Sequence, residues 1–246
     1  MRRNYPRPPI VEAVIDFRFA PTNSRTALLE ALRSALGARY RGTDEQQELI
    51  ELSAAVRPDT IATSAKRAVH VTFLRSDDSL RLIGCGDGML SIHVLEPYPG
   101  WESFIEQADE AIGVLPETVA NQPLRSVAVR YIDRIKLSDH GPSMEDILTI
   151  MPPRPEPMPK LLSGFHVTTH SRDPDGTLAT LTLASAPREP GSDPSVVFDL
   201  TLLRAGEPLC GPFRSGAWRA IVDELHVRQR EIFEASITDR ARSLFQ

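Results

Sequence analysis

Cysteine is nearly missing from this sequence. Only Cys85 and Cys210 occur, too few for a disulfide framework and without the spacing of a metal site. Long apolar runs are missing as well. No stretch approaches the ~20 apolar residues that a membrane-spanning helix needs, so no membrane association is expected. The N-terminus, MRRNYPRPPI, carries arginines with no apolar segment behind them and does not read as a secretory signal. A cytoplasmic chain is therefore expected. There is no basic excess either: the formal net charge is −5, which argues against a nucleic-acid partner, although a local patch can coexist with an acidic total. Finally, the familiar catalytic signatures are absent. No Gly-x-Ser-x-Gly elbow, His-Glu-x-x-His pair, dinucleotide glycine fingerprint or kinase set occurs. That lowers the case for a well-known enzyme class, leaves catalysis undecided, and gives no reason to expect a cofactor.

What is present is globular composition: 246 residues, 41% hydrophobic and 25% charged, enough for one large core or two small ones. The 21 prolines gather in connections. The stretch Pro8–Phe19, PPIVEAVIDFRF, follows a proline stop with strict alternation. Ala13, Ile15, Phe17 and Phe19 point one way, and Glu12, Asp16 and Arg18, with Val14 among them, the other. That is the period of a strand with one face in a core, and its other face is unusually charged. Ser126–Leu137 (SVAVRYIDRIKL) reads similarly.

In order, residues 1–9 form an extended arm under Pro6, Pro8 and Pro9, followed by the first strand. Ser24 is the expected cap of a helix with the stripe Leu28, Leu29, Leu32 and Leu36. Strands follow at Leu49–Val56, Ala68–Arg75, Leu80–Gly84 and Met89–Leu95, the last two forming a hairpin around a flexible Gly84–Gly88 loop. An amphipathic helix then carries Trp101, Phe104, Ile105, Ala108 and Ile112. After Pro123 the pattern restarts: a strand at Leu124–Leu137, a short helix Met144–Met151 capped by Ser143, and a stiff Pro152–Pro159 connector. Three strands come next, at Gly164–Ser171, Thr177–Ser185 and Val196–Arg204, before a long helix from about Gly216 to Ala235 and a last helical segment Thr238–Phe245. The expected fold class is α+β, a largely antiparallel sheet with helices packed on one face. Two similar β-α-β-β-β-α halves, 8–118 and 122–246, would make up one full-length unit. Fold-level likeness to duplicated saddle or helix-grip architectures assigns no function.

The polar faces of these strands gather candidate site residues. Acids and arginines of the first strand of each half could meet near a pseudo-twofold axis, and arginine suits a bidentate grip on carboxylate or phosphate. Solvated polar alternates are the ordinary alternative. His166 and His170, with Asp199 across the sheet, have a metal-like composition, but scattered surface histidines are far commoner than ligands and no metal is expected. Gly84–Gly88 lacks the Gly-Lys-Ser/Thr of a phosphate loop, and Cys85 would need a histidine partner to act as a nucleophile. The C-terminal arginines Arg214, Arg219, Arg228, Arg230, Arg240 and Arg242 alternate with acids, as on a solvated helix face.

Three short motifs carry a resemblance. Pro8-Pro9-Ile10-Val11-Glu12-Ala13-Val14 with Phe17-Arg18-Phe19, then Arg130-Tyr131-Ile132-Asp133-Arg134-Ile135, then His226-x6-Phe233-x3-Ile237-Thr238 resemble a sporadically distributed prokaryotic family of uncharacterised proteins of about this length. The resemblance spans the chain in order and implies one full-length unit; it implies no activity. The motif residues Glu12, Arg18, Arg130, Asp133 and Arg134, with Asp16 beside them, are the candidate ligand-binding set. Asp133 falls on the apolar face, where a buried pair to an arginine is expected. The leading functional expectation is a binding or interaction protein, holding a small ligand or a protein partner on the polar sheet face or in the sheet–helix groove. The alternatives are an enzyme acting on a phosphorylated or nucleotide-like substrate, and a nucleic-acid accessory factor. A homo-oligomer stays open.

Overall fold

A computed structural model describes residues 5–21, 25–57, 60–137, 143–153, 155–157, 164–186 and 193–246. The alternating stretch is β1 (Ile10–Phe19). After it come α1 (Arg25–Leu36), β2 (Glu45–Arg57), β3 (Thr60–Arg75), β4 (Arg81–Gly86), β5 (Met89–Leu95), α2 (Trp101–Gly113) and α3 (Glu117–Ala120). The chain continues with β6 (Pro123–Lys136), α4 (Met144–Ile147), β7 (His166–Arg172), β8 (Leu178–Ser185) and β9 (Ser195–Pro212). A 3-10 turn (Phe213–Ser215), α5 (Trp218–Ser236) and α6 (Asp239–Leu244) complete it. The strands join one antiparallel sheet in the order β2-β3-β4-β5-β1-β6-β9-β8-β7. The fold is α+β.

The centre of that sheet is β1 beside β6, the first strands of the two sequence halves, antiparallel to each other. Each is flanked on its outer side by the last strand of its own half, β5 next to β1 and β9 next to β6. Beyond these, β4 and β3 on one wing match β8 and β7 on the other, and β2 extends the first wing. Alternation makes one sheet face apolar. Ala13, Ile15 and Phe17 lie level with Val94, Ile92 and Leu90 of β5 and with Tyr131, Val129 and Val127 of β6, and all of these are buried. The helices cover this face: α1 lies on β4, α2 on β5, and α5 across β6 and β9. Phe17 meets the rings of Phe213 and Trp218 edge-on at 5.4 Å, and one continuous core joins residues of both halves. Each large apolar side chain buried this way contributes roughly 1.5–3 kcal/mol.

Several expected elements differ in extent. The helix after Ser143 is a single turn, because Leu148 turns extended and bridges Ile237 of the C-terminal segment. The strand β9 runs on to Pro212, its continuation pairing with the start of β6 across a register shift. The expected flexible loop Gly84–Gly88 is mostly strand: Gly84 to Gly86 belong to β4, and Asp87-Gly88 alone make the turn. A Cβ on Gly84 would stand 2.3 Å from Ser91 Oγ and 2.8 Å from the Phe73 ring, so glycine serves close packing there. Gly88 has φ 68° and supplies the turn. Ser24, parts of the Pro152–Pro159 tract and most of the Pro187–Pro194 loop lie outside the described residues.

Candidate functional site

The period-two alternation of β6 separates the candidate residues. Tyr131, Asp133 and Ile135 face the helices, while Arg130 and Arg134 face the open side of the sheet. Glu12, Asp16 and Arg18 of β1 also lie on the open side, level with Ile132, Ala128 and Ser126 of β6. The candidate set is thus not one cluster. Five members share the open face, and Asp133 lies on the opposite one.

On the open face the charges are largely paired. Arg130 holds Asp199 in a two-pronged bond, Nε to Oδ1 at 2.8 Å and Nη2 to Oδ2 at 2.6 Å. Arg18 Nε donates to Asp16 Oδ1 at 2.7 Å. His93 bridges Glu12 (Nδ1 to Oε1, 2.8 Å) and Ser91 (Nε2 to Oγ, 2.9 Å), and its ring meets Phe73 edge-on. The His93 hydrogen bond holds the Glu12 carboxyl below its usual range against the opposing effect of burial, and Arg130 adds to the lowering. Asp16 is shifted the other way, because desolvation outweighs Arg18. Arg134 is exposed, its backbone N–H bonded to the Pro9 carbonyl. The histidine pair does not assemble with Asp199. His166 and Thr168 bond to each other, His170 bonds to Thr180, and Asp199 is committed to Arg130. Among the described residues no group of three or more His, Cys, Asp or Glu converges as metal ligands would. Cys85 lies in the core, where burial pushes its thiol up to about 12; such a thiol is not a nucleophile at neutral pH.

The helix side holds a cavity of about 1090 Å³. Its walls are the arm Tyr5–Ile10, the turn from Tyr98 into the start of α2, the end of β6 and the inner face of α5. The arm is fixed at its start and midway: Tyr5 Oη donates to Glu234 Oε1 at 2.6 Å, and the Arg7 N–H donates to the Phe245 carbonyl at 3.0 Å. Along α5, His226, Gln229, Arg230 and Phe233 reach the cavity, a 3–4 residue spacing that keeps them on one helix face. Gln229 Nε2 donates to the carbonyls of Val129 at 3.0 Å and Leu200 at 2.5 Å, clamping α5 to both central strands of the second half.

Within the cavity a hydrogen-bonded chain runs from Tyr98 Oη to Tyr131 Oη (3.2 Å) and on to His226 Nδ1 (2.9 Å). The His226 ring is stacked on Trp101, with ring centres 3.8 Å apart and planes 2° from parallel, and the Trp101 indole N–H donates to Asp223 at 3.2 Å. Burial pushes both tyrosine hydroxyls above their usual range. Beside them stands Asp133, 4% exposed and lining the cavity. The expected arginine pair is not there: among the described residues its carboxyl has no hydrogen-bond or ion-pair partner, because the arginines of its own strand face the other way. Burial, reinforced by the negative charge of Asp199, raises its pKa to about 8. At neutral pH it is a carboxylic acid facing a cavity, able to donate as well as accept.

Neither protein-family models nor curated proteins match the chain. The family resemblance therefore rests on the three motifs alone, and all three send residues into this cavity: Pro8, Pro9 and Ile10 from the first, Tyr131 and Asp133 from the second, His226 and Phe233 from the third. Sequence reading had the groove as one of two locations but took its chemistry from the open face. Tyr98, Trp101, Gln229 and Arg230 were missed. Trp101 and its neighbours read as a core stripe, and only the histidine and phenylalanine of the last motif hinted at the site.

Proposed function

We propose that this chain is a binding protein whose ligand is a small molecule held in the sheet–helix cavity. The observation that carries the reading is the Asp133 carboxyl, without a partner among the described residues and buried yet directed into a roomy space with aromatic walls. A buried polar group without a partner costs roughly 1–3 kcal/mol, and a ligand that supplies the partner recovers that cost as affinity. The convergence of three remote motifs on the same space supports the reading. So does the mix of apolar surface with a few directed polar groups, which is the usual make-up of a ligand pocket.

The open sheet face is weaker ground for a phosphate-holding enzyme. A phosphate held by Arg18 or Arg130 would have to displace Asp16 or Asp199, which leaves the exposed Arg134 as the one guanidinium of the candidate set that a phosphate reaches without breaking a pair among the described residues. The correspondence between the two wings of the sheet is consistent with an internal duplication, with the cavity formed where the central strands of the two halves meet.

Native mass spectrometry of gently purified protein tests the binding reading. A defined mass excess is expected on the wild-type chain and absent from a folded Trp101→Ala variant. A bare chain that also shows no change in tryptophan fluorescence across a small-molecule fragment library would overturn it.

A further inference from the structure

Resting on that reading, we infer that the ligand of the sheet–helix cavity carries an organic ammonium group, which pairs with Asp133 between the aromatic walls. Three features of the cavity point to this. The first is Asp133 itself, a carboxyl 4% exposed, without a partner among the described residues, and facing the space. Among the described residues the surrounding side chains do not supply one: Tyr98 and Tyr131 are engaged with each other and Tyr131 with His226, and Arg230 of α5 lines the same cavity without a bond to Asp133. The second is the charge of the lining. Among the described residues, five carboxyl groups (Glu102, Asp133, Asp223, Glu231 and Glu234) line it against one guanidinium, that of Arg230. Two of them already have partners, Glu234 with Arg242 and Tyr5, and Asp223 with Trp101. Glu102 and Glu231 stand exposed at the rim, where they raise the local concentration of cations. The third is the wall itself. Tyr5, Tyr98, Trp101, Tyr131 and Phe233 line the space, and the faces of aromatic rings attract organic ammonium groups.

The chemistry couples binding to a proton. Without a ligand the Asp133 carboxyl is mostly protonated at neutral pH, since burial and Asp199 both oppose its charge. An ammonium group supplies the missing opposite charge, so Asp133 ionises as the cation enters and one proton leaves for solvent. A neutral or anionic ligand of the same shape releases none.

Phenyltrimethylammonium is a suitable probe because it does not itself titrate; benzyl alcohol and benzoate serve as its neutral and anionic counterparts. Binding is read by tryptophan fluorescence and by calorimetry in two buffers of different ionisation enthalpy. The cation is expected to bind more tightly than either counterpart. Its affinity should rise roughly tenfold per pH unit from pH 6 and level off above about 8, with close to one proton released per cation at pH 6–7. Asp133→Asn should lower the cation's affinity at pH 8 at least tenfold and abolish the proton release, while urea unfolding confirms that the variant is folded. Equal or tighter binding of benzyl alcohol or benzoate overturns the inference, and so does cation binding that Asp133→Asn leaves unchanged. If the native mass excess is present and phenyltrimethylammonium does not bind, the charge assignment falls while the cavity reading stands. If neither is seen, both fall.

Discussion

Replacing Asp133 by asparagine should alter how stability depends on pH more than it alters stability at any single pH. The folded carboxyl titrates at about 8, whereas an aspartate in an unfolded chain titrates near ~3.9. Between those values the folded protein keeps a proton that the unfolded chain has already released. Stability therefore falls as pH rises, at about 1.4 kcal/mol per pH unit for one group. The contribution is complete below the unfolded value and is lost as pH rises through the folded one. Over the whole window of about 4 pH units the difference reaches an upper bound of roughly 5.6 kcal/mol, a large part of the total for a domain of ordinary stability. Asparagine has nearly the same shape and cannot ionise. Its amide carries its own desolvation cost, about 1–2 kcal/mol at every pH, so the slope is the decisive quantity and not the offset.

The assay is urea unfolding of both proteins at intervals from pH 4.5 to 8.5. All other titrating groups are shared, so they largely cancel in the difference. That difference should move in favour of the variant by about 1.4 kcal/mol per unit and flatten above about pH 8. Parallel curves would refute the reasoning. They would mean that Asp133 titrates alike in both states, and hence that it is solvated or paired in the folded protein.

Four further outcomes are expected. A double-mutant cycle on Arg130→Ala and Asp199→Ala should give a coupling of about 0.5–1 kcal/mol that shrinks with added salt, because the Arg130 side chain is 44% exposed. Glu12→Gln should cost stability at neutral pH and little in acid, since the lowered Glu12 pKa contributes stability above the unfolded value of about 4.3 and loses it as pH falls through the folded one; paired pH titrations of unfolding check it. Phe17→Ala should destabilise by about 3–5 kcal/mol in urea unfolding, as its fully buried ring contacts both Phe213 and Trp218. Cys85 should resist a thiol reagent at pH 8 in the native protein and react at the ordinary rate once unfolded, because burial both shields it and raises its pKa.

Much of the fold could be read from local pattern. The alternation of Ala13, Ile15, Phe17 and Phe19 became the buried face of β1, and the Trp218, Val222 and Leu225 stripe became the buried side of α5. What escaped depended on partners remote in sequence. The glycines of Gly84–Gly88 read as a flexible loop because nothing local reveals the Phe73 ring and Ser91 hydroxyl that press on Gly84. The helix after Ser143 read too long because its end is set by a bridge from Leu148 to Ile237.

The candidate site shows the same limit more sharply. Composition grouped six charged residues, but parity along a strand is a stronger constraint than charge. Alternation sends Arg130 and Arg134 to one face and Asp133 to the other. That placement was legible, and a buried arginine partner was the natural inference from it. The partner fails because an arginine on the helix side would have to come from α5 or the arm, and among the described residues the one guanidinium lining the cavity, that of Arg230, is not bonded to Asp133. The carboxyl is left facing space instead. The meeting of the arm, the turn into α2, β6 and α5 at the centre of the sheet creates that space, and these segments are far apart along the chain. A cavity assembled in this way has no local sequence signature. Its traces are single residues such as Pro9, Asp133 and His226, each of which has an ordinary structural explanation when read alone.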